Sequence, residues 1–88
     1  METNVFDFYA DPGHGWLKVP RVLLAELGLL GKITPYSYQQ KDFIYLEEDC
    51  DLPLFTKAMR ERGGEVKVRE HSSNNMSKIR SYSPFFIY

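Results

Sequence analysis

Phe6-Asp7-Phe8-Tyr9-Ala10-Asp11-Pro12-Gly13-His14-Gly15-Trp16-Leu17-Lys18-Val19-Pro20 is the stretch on which the fold turns. Phe6-Asp7-Phe8 alternates apolar and polar residues, as a half-buried strand does. Asp11-Pro12-Gly13 is a turn, because proline presets φ for the first turn position and glycine accepts a positive φ. Trp16-Leu17-Lys18-Val19 returns as the second strand of a hairpin. Pro20 suits the first turn of a helix, where its missing N–H is no loss. Val22, Leu23, Leu24, Leu27 and Leu30 come next at largely helical spacing, with Gly28 and Gly31 as stops.

The same logic repeats downstream. Tyr36-Ser37-Tyr38 alternates, Gln39 to Asp42 turns, and Phe43-Ile44-Tyr45-Leu46 returns. Asp49 or Asp51 is placed to cap a second helix, with Pro53 in its first turn and Leu54, Phe55, Ala58 and Met59 as its apolar stripe. Gly63-Gly64 ends it. Val66-Lys67-Val68-Arg69 is a fifth strand, His71 to Ser77 a polar loop, and Lys78 to Tyr82 a short edge strand. The expectation is a single α+β domain over residues 1–88. It is a small, mainly antiparallel sheet of four to five strands with two helices on one face, in the order ββα-ββα-β. The units span about 5–30 and 33–63, with a C-terminal strand and tail over 64–88. They match in pattern rather than identity, which fits an old duplication or two similar units of separate origin.

Size and composition narrow the function classes. The 88 residues are 43% apolar and 26% charged, so the chain is neither disordered by composition nor low in complexity. Aromatic residues make up 15%, which supplies large buried areas to a small core. Cys50 is the only cysteine, whereas a secreted domain this small usually carries several disulfides. The acidic Met1-Glu2-Thr3-Asn4 start reads as neither signal peptide nor membrane span, so a reducing cytoplasm is expected. Charge is uneven: residues 1–56 hold four basic and nine acidic residues, a net of −5, and residues 57–88 hold seven and three, a net of +4. Such asymmetry marks two different contact faces.

Three groups of residues are candidates for chemistry. Lys67, Arg69, Lys78, Arg80 and Tyr82, with Trp16 and His14, form a partner-binding set for protein or nucleic acid, since cations neutralise phosphates or carboxylates and aromatics stack. The plain alternative is a solvated face paired with the acidic half. Lys67 and Arg69 share one strand face, opposite Val66 and Val68. Glu47, Glu48, Asp49 and Asp51 form an acidic run, read as a contact face or as negative charge at a helix N-terminus. Asp11-Pro12-Gly13-His14-Gly15 resembles a segment of zinc-dependent cell-wall amidases in which the His binds metal; His71 is the only other imidazole, and the family's later ligand motifs are missing. The plain reading of that segment is a hairpin turn with an exposed His14. Cys50 is expected to be a buried or half-buried structural thiol. No cofactor and no metal site is expected.

The runs DPGHGWLKVPRVLLAELG, ITPYSYQQKDFIYLEEDCD and VREHSSNNMSKIRSY resemble a family of small, uncharacterised proteins of tailed phages, prophages and plasmids, over about Phe8 to Tyr82. The resemblance implies a small accessory protein of a mobile element in a bacterial cytoplasm, of the kind that binds a host or defence component. The reading is therefore a non-enzymatic binding protein, foremost an inhibitor or modulator of a host or anti-phage defence protein. The alternatives are a nucleic-acid-binding module using the basic C-terminal third and a small metal-dependent enzyme using His14. No membrane partner is expected. The apolar tail 85–88 is open to two uses, covering the domain's own core or joining a homodimer.

Overall fold

A computed structural model describes residues 3–86. The chain runs β1 (Thr3–Ala10), β2 (Gly15–Pro20), α1 (Arg21–Glu26), a 3₁₀ turn (Leu30–Lys32), β3 (Tyr38–Gln40), β4 (Phe43–Glu47), α2 (Asp51–Glu61), β5 (Glu65–Ser72), a second 3₁₀ turn (Lys78–Ser81) and β6 (Ser83–Pro84). The α+β class and the two helices are as expected. The sheet differs in detail: it has six strands in the order β5-β1-β2-β4-β3-β6, is open, and is mixed rather than antiparallel. The exception to antiparallel pairing is β5, which lies parallel to β1 from Thr3↔Glu65 to Ala10↔Ser72. A parallel neighbour needs a long crossover, and everything from β2 through α2 supplies it.

Strand alternation sends two sets of side chains to two faces. On the first face, Phe6, Leu17, Val19, Ile44 and Leu46 pack against Leu24 of α1 and Phe55 and Met59 of α2. The Phe6 and Phe55 rings meet edge to face, centroids 5.3 Å apart. Both helices stop where glycine permits it. Gly28 (φ 71°) comes just after α1 and Gly63 (φ 79°) just after α2. Each stop closes with paired bonds, Gly28 N to Ala25 O and Leu29 N to Leu24 O, then Gly63 N to Arg60 O and Gly64 N to Met59 O. Leu24 is the one buried residue of α1, and Val22 is exposed, so the Leu-rich stripe is only partly used.

The second face has its own core, built mainly from aromatic residues. Trp16, Tyr45 and Ile79 are buried, with Tyr9, Tyr38, Phe43 and Tyr82 around them. Tyr36, in the loop before β3, is 69% exposed. Ile79 arrives on a segment expected to be a short edge strand. Lys78–Ser81 is instead a 3₁₀ turn, because Ser77 Oγ accepts the Ile79 N–H and so starts a turn. From there the chain reaches the far edge, where β6 pairs with β3. Phe85 then tucks into the first-face core at 1% exposure, its N–H bonded to Ser37 O at 2.8 Å. The tail thus serves the domain's own core through Phe85, while Ile87 and Tyr88 lie outside the described residues.

Phe85→Ala removes a fully buried ring and the anchor of β6 together. It is expected to cost about 3–4 kcal/mol in urea unfolding. A loss below about 1 kcal/mol would show that the tail is not part of the core.

Candidate functional site

Asp11 organises the turn between β1 and β2. Its buried carboxylate accepts five bonds: from Gly13 N and His14 N (3.0 Å each), Ser77 N (2.9 Å), and Arg80 Nε (2.6 Å) and Nη2 (2.9 Å). The Arg80 fork, helped by the backbone donors, holds this carboxyl far below the ordinary aspartate range. The motif residues are thereby explained. A Cβ on Gly13 would touch Arg80 Nη2 at 3.0 Å, and a Cβ on Gly15 would strike the Phe8 ring at 2.2 Å. His14 is exposed at the turn, 6.0 Å from the Trp16 ring. Among the described residues, no three His, Cys, Asp or Glu side chains group as metal ligands.

Beside this turn lies an open cleft of about 340 Å³, lined by His14, Trp16, Tyr38, Glu47, Cys50 and Arg80. The Arg80 guanidinium stands 5.4 Å from the Trp16 ring centre. Trp16 itself is 2% exposed, and its Nε1 is a buried donor without a partner among the described residues. Of the three partner-binding candidates at this spot, Trp16 is therefore interior, Arg80 is committed to Asp11 and His14 is exposed.

The acidic run is divided between interior and surface. Glu47 is buried, and its Oε1 accepts the N–H groups of Asp49 (3.0 Å) and Cys50 (2.8 Å) ahead of α2. Asp51 is 1% exposed and makes no capping bond to the helix. It turns instead to the preceding loop, accepting from Thr34 N (3.2 and 3.1 Å), Thr34 Oγ1 (2.8 Å) and Ser37 Oγ. Ser37 Oγ in turn accepts the Glu47 N–H at 2.9 Å. Two of the four carboxylates thus satisfy interior donors that only the fold brings near, leaving Asp49 exposed and Glu48 half-buried. Cys50 is exposed rather than buried. Partial desolvation and the neighbouring Glu47 push its thiol up, away from the nucleophilic thiolate.

The basic strip is the part of the candidate set that reaches solvent. β5 is an edge strand whose residues from Lys67 to Ser72 are all exposed. Lys67, Arg69 and His71 share the second face, opposite Val5, Asp7 and Tyr9 of β1. Asp7 bridges two of them, accepting from Arg69 Nε at 2.7 Å and meeting His71 Nε2 at 2.9 Å. The Arg69 bond, then that of His71, lowers the Asp7 carboxyl to about 2. The His71 ring stacks on Tyr9 with centroids 4.9 Å apart. Arg69 remains 65% exposed, engaged only through Nε among the described residues. Lys78 is exposed on the 3₁₀ turn, and Tyr82 is half-buried with its ring 5.1 Å from Tyr45. Asp7 and Tyr9 escaped sequence reading as site residues, although period-two alternation already put both on one face of β1.

The paired carboxylates and the orphan donor each lead to a measurable expectation. Asp7 and Asp11 are depressed in the fold, so their stabilisation is full above the ordinary aspartate value of 3.8 and is lost as pH falls below it. The buried Asp11 dominates, since the exposed Asp7 pair is screened by solvent. The urea midpoint is expected to drop between pH 6 and pH 3, with a shallower drop in Asp11→Asn; equal midpoints for the native chain would contradict this. Trp16→Phe removes a donor that is unpartnered among the described residues but also leaves a void in a buried core, so a net loss of about 1–2 kcal/mol is expected in urea unfolding. A loss above about 3 kcal/mol would mean that the indole N–H makes a bond. The chain matches no protein-family model, no curated protein and no solved structure.

Proposed function

We propose that the protein is a non-enzymatic binding protein of a phage or other mobile element that engages a bacterial protein in the host cytoplasm. The observation that carries this reading is the β5 edge: eight residues long, open on its outer side among the described residues, with Lys67, Arg69 and His71 at alternate positions on one face. An open edge of this length is an aggregation hazard unless it is protected or used. The favoured version is an inhibitor or modulator of a host or anti-phage defence protein. Its support is the resemblance of residues 8–82 to small accessory proteins of mobile elements.

Nucleic-acid binding by the same region is the second reading, favoured by the exposure of Lys67, Arg69 and Lys78. Two members of that set are poorly placed for it. Arg80 is tied to Asp11, and Tyr82 lies against Tyr45, so stacking on a base is restricted. No helix of the described residues is long and apolar enough to cross a membrane. The metal-enzyme reading built on His14 finds no set of three ligands among the described residues.

Affinity capture from bacterial lysate tests the proposal. One dominant protein is expected with the native chain and is expected to be lost with the Lys67→Glu, Arg69→Glu double variant. Capture of nucleic acid, with affinity falling steeply as salt rises, would favour the second reading. No partner, or one indifferent to the double variant, would count against the β5 surface.

A further inference from the structure

The two edges of the sheet are built differently. β6 is two residues long and contains Pro84, which removes an N–H, so that edge is blunt. β5 is eight residues long without proline, and its outer peptide groups face away from β1. Its two faces also differ. Glu65, Lys67, Arg69 and His71 stand on one, Val66, Val68 and Glu70 on the other. On the valine side an open groove of about 380 Å³ runs between the strand and α2, lined by Leu52, Thr56, Arg60, Val66 and Val68. Val68 is 46% exposed there. An edge strand flanked by a helix, with a groove between them, is the geometry in which an added strand buries alternate side chains.

We propose that β5 takes an extended partner segment as a seventh strand, and that this segment alternates apolar residues with carboxylates. This inference rests on the protein-binding reading above and names the chemistry of the partner. The added backbone takes up the free N–H and C=O groups of β5. Its apolar side chains enter the groove beside Leu52 and Thr56. Its carboxylates project to the other face, opposite Lys67, Arg69 and His71, where the free ends of the Arg69 guanidinium accept a second anion besides Asp7. Charge disfavours the obvious competitor, a second copy of β5. In an antiparallel two-fold pair, facing residues come from the same strand face. With the axis at Val68, Lys67 faces Arg69 and Glu65 faces His71; with the axis at Arg69, Lys67 faces His71 and Arg69 faces its own copy, so like charges are directly opposed in both. The strip thus disfavours self-pairing and favours a strand whose carboxylates face Lys67 and Arg69.

Fluorescence anisotropy with labelled octapeptides tests this on the intact protein. The probe alternates valine and glutamate; the controls are a block-scrambled peptide of the same composition and a valine–lysine alternate. Two further probes carry backbone N-methyl groups on one edge or the other. Strand addition uses a single peptide edge, so one methylated probe is expected to bind like the parent and the other at least about 10-fold more weakly, the equivalent of one or two lost bonds. The scrambled and lysine probes are expected to be weaker by a similar factor, as is the parent probe on Lys67→Glu. Equal loss or equal retention for both methylated probes overturns strand addition while leaving charge-driven protein binding intact. So does a parent probe that fails while the captured host protein still depends on Lys67 and Arg69. If lysate capture yields no protein dependent on these residues and the probe also fails, the protein-binding reading falls with it. A single-stranded oligonucleotide that binds where the probe does not overturns the inference in favour of nucleic acid.

Discussion

The parallel ladder between β1 and β5 is the constraint on which the rest of the structure depends. Its register, Asp7 against Arg69 and Phe6 against Val68, sorts the C-terminal strand's side chains between two environments. Phe6 is buried beneath α2, so its neighbours on β5 must be valines that continue the apolar face. Asp7 points the other way, so its neighbours are the cations. A slip of one residue would reverse both assignments. The same ladder makes β5 the last strand on its side, which leaves its outer edge unpaired among the described residues.

A second constraint sets the path of the chain beyond β5. The backbone leaves at one edge and must reach β3 at the other, across a face that carries Trp16, Tyr38 and Tyr45. Asp11 fixes that crossing. One carboxylate holds its own turn through Gly13 and His14, and it holds the crossing segment through Ser77 and Arg80. The D-P-G-H-G motif, which resembles a metal-binding segment, is in this chain a buckle between the first hairpin and the C-terminal strap. Both of its glycines answer to close neighbours, Arg80 and Phe8. The sequence groups the cationic residues as one surface, and the buckle divides them. Arg80 is consumed internally, whereas Lys67 and Arg69 remain at the edge.

Local chemistry was legible in the sequence wherever it sufficed. Asp11-Pro12-Gly13 read as a turn, Gly28 and Gly63 as helix stops, and the alternation of Val66 to Arg69 as a strand, because each depends on a few adjacent residues. Pairings across the chain were not legible. Nothing within Glu65–Ser72 states that it will lie parallel to β1 rather than antiparallel to a neighbour. Lys78 to Tyr82 reads as a short edge strand, and the Ser77 hydroxyl with the distant Asp11 carboxylate makes it a turn instead. The acidic run reads as a contact face or as charge at a helix N-terminus, but Glu47 and Asp51 turn inward to donors at Asp49, Cys50, Thr34 and Ser37. The groove beside β5 was invisible for the same reason, since one wall is the Leu52 and Thr56 face of α2 and the other is the strand.

The central claim is that β5 presents an open outer edge in the folded monomer, and residue-resolved amide hydrogen exchange tests it most directly. Alternate amides of an edge strand point to its two sides, and unpaired ones exchange through solvent without unfolding. The account predicts a period-two pattern along residues 65–72, slow where the N–H bonds β1 and fast where it faces out, unchanged on dilution. Uniform protection along β5, or protection of the outer set that vanishes on dilution, would contradict it, because the edge would then already be occupied.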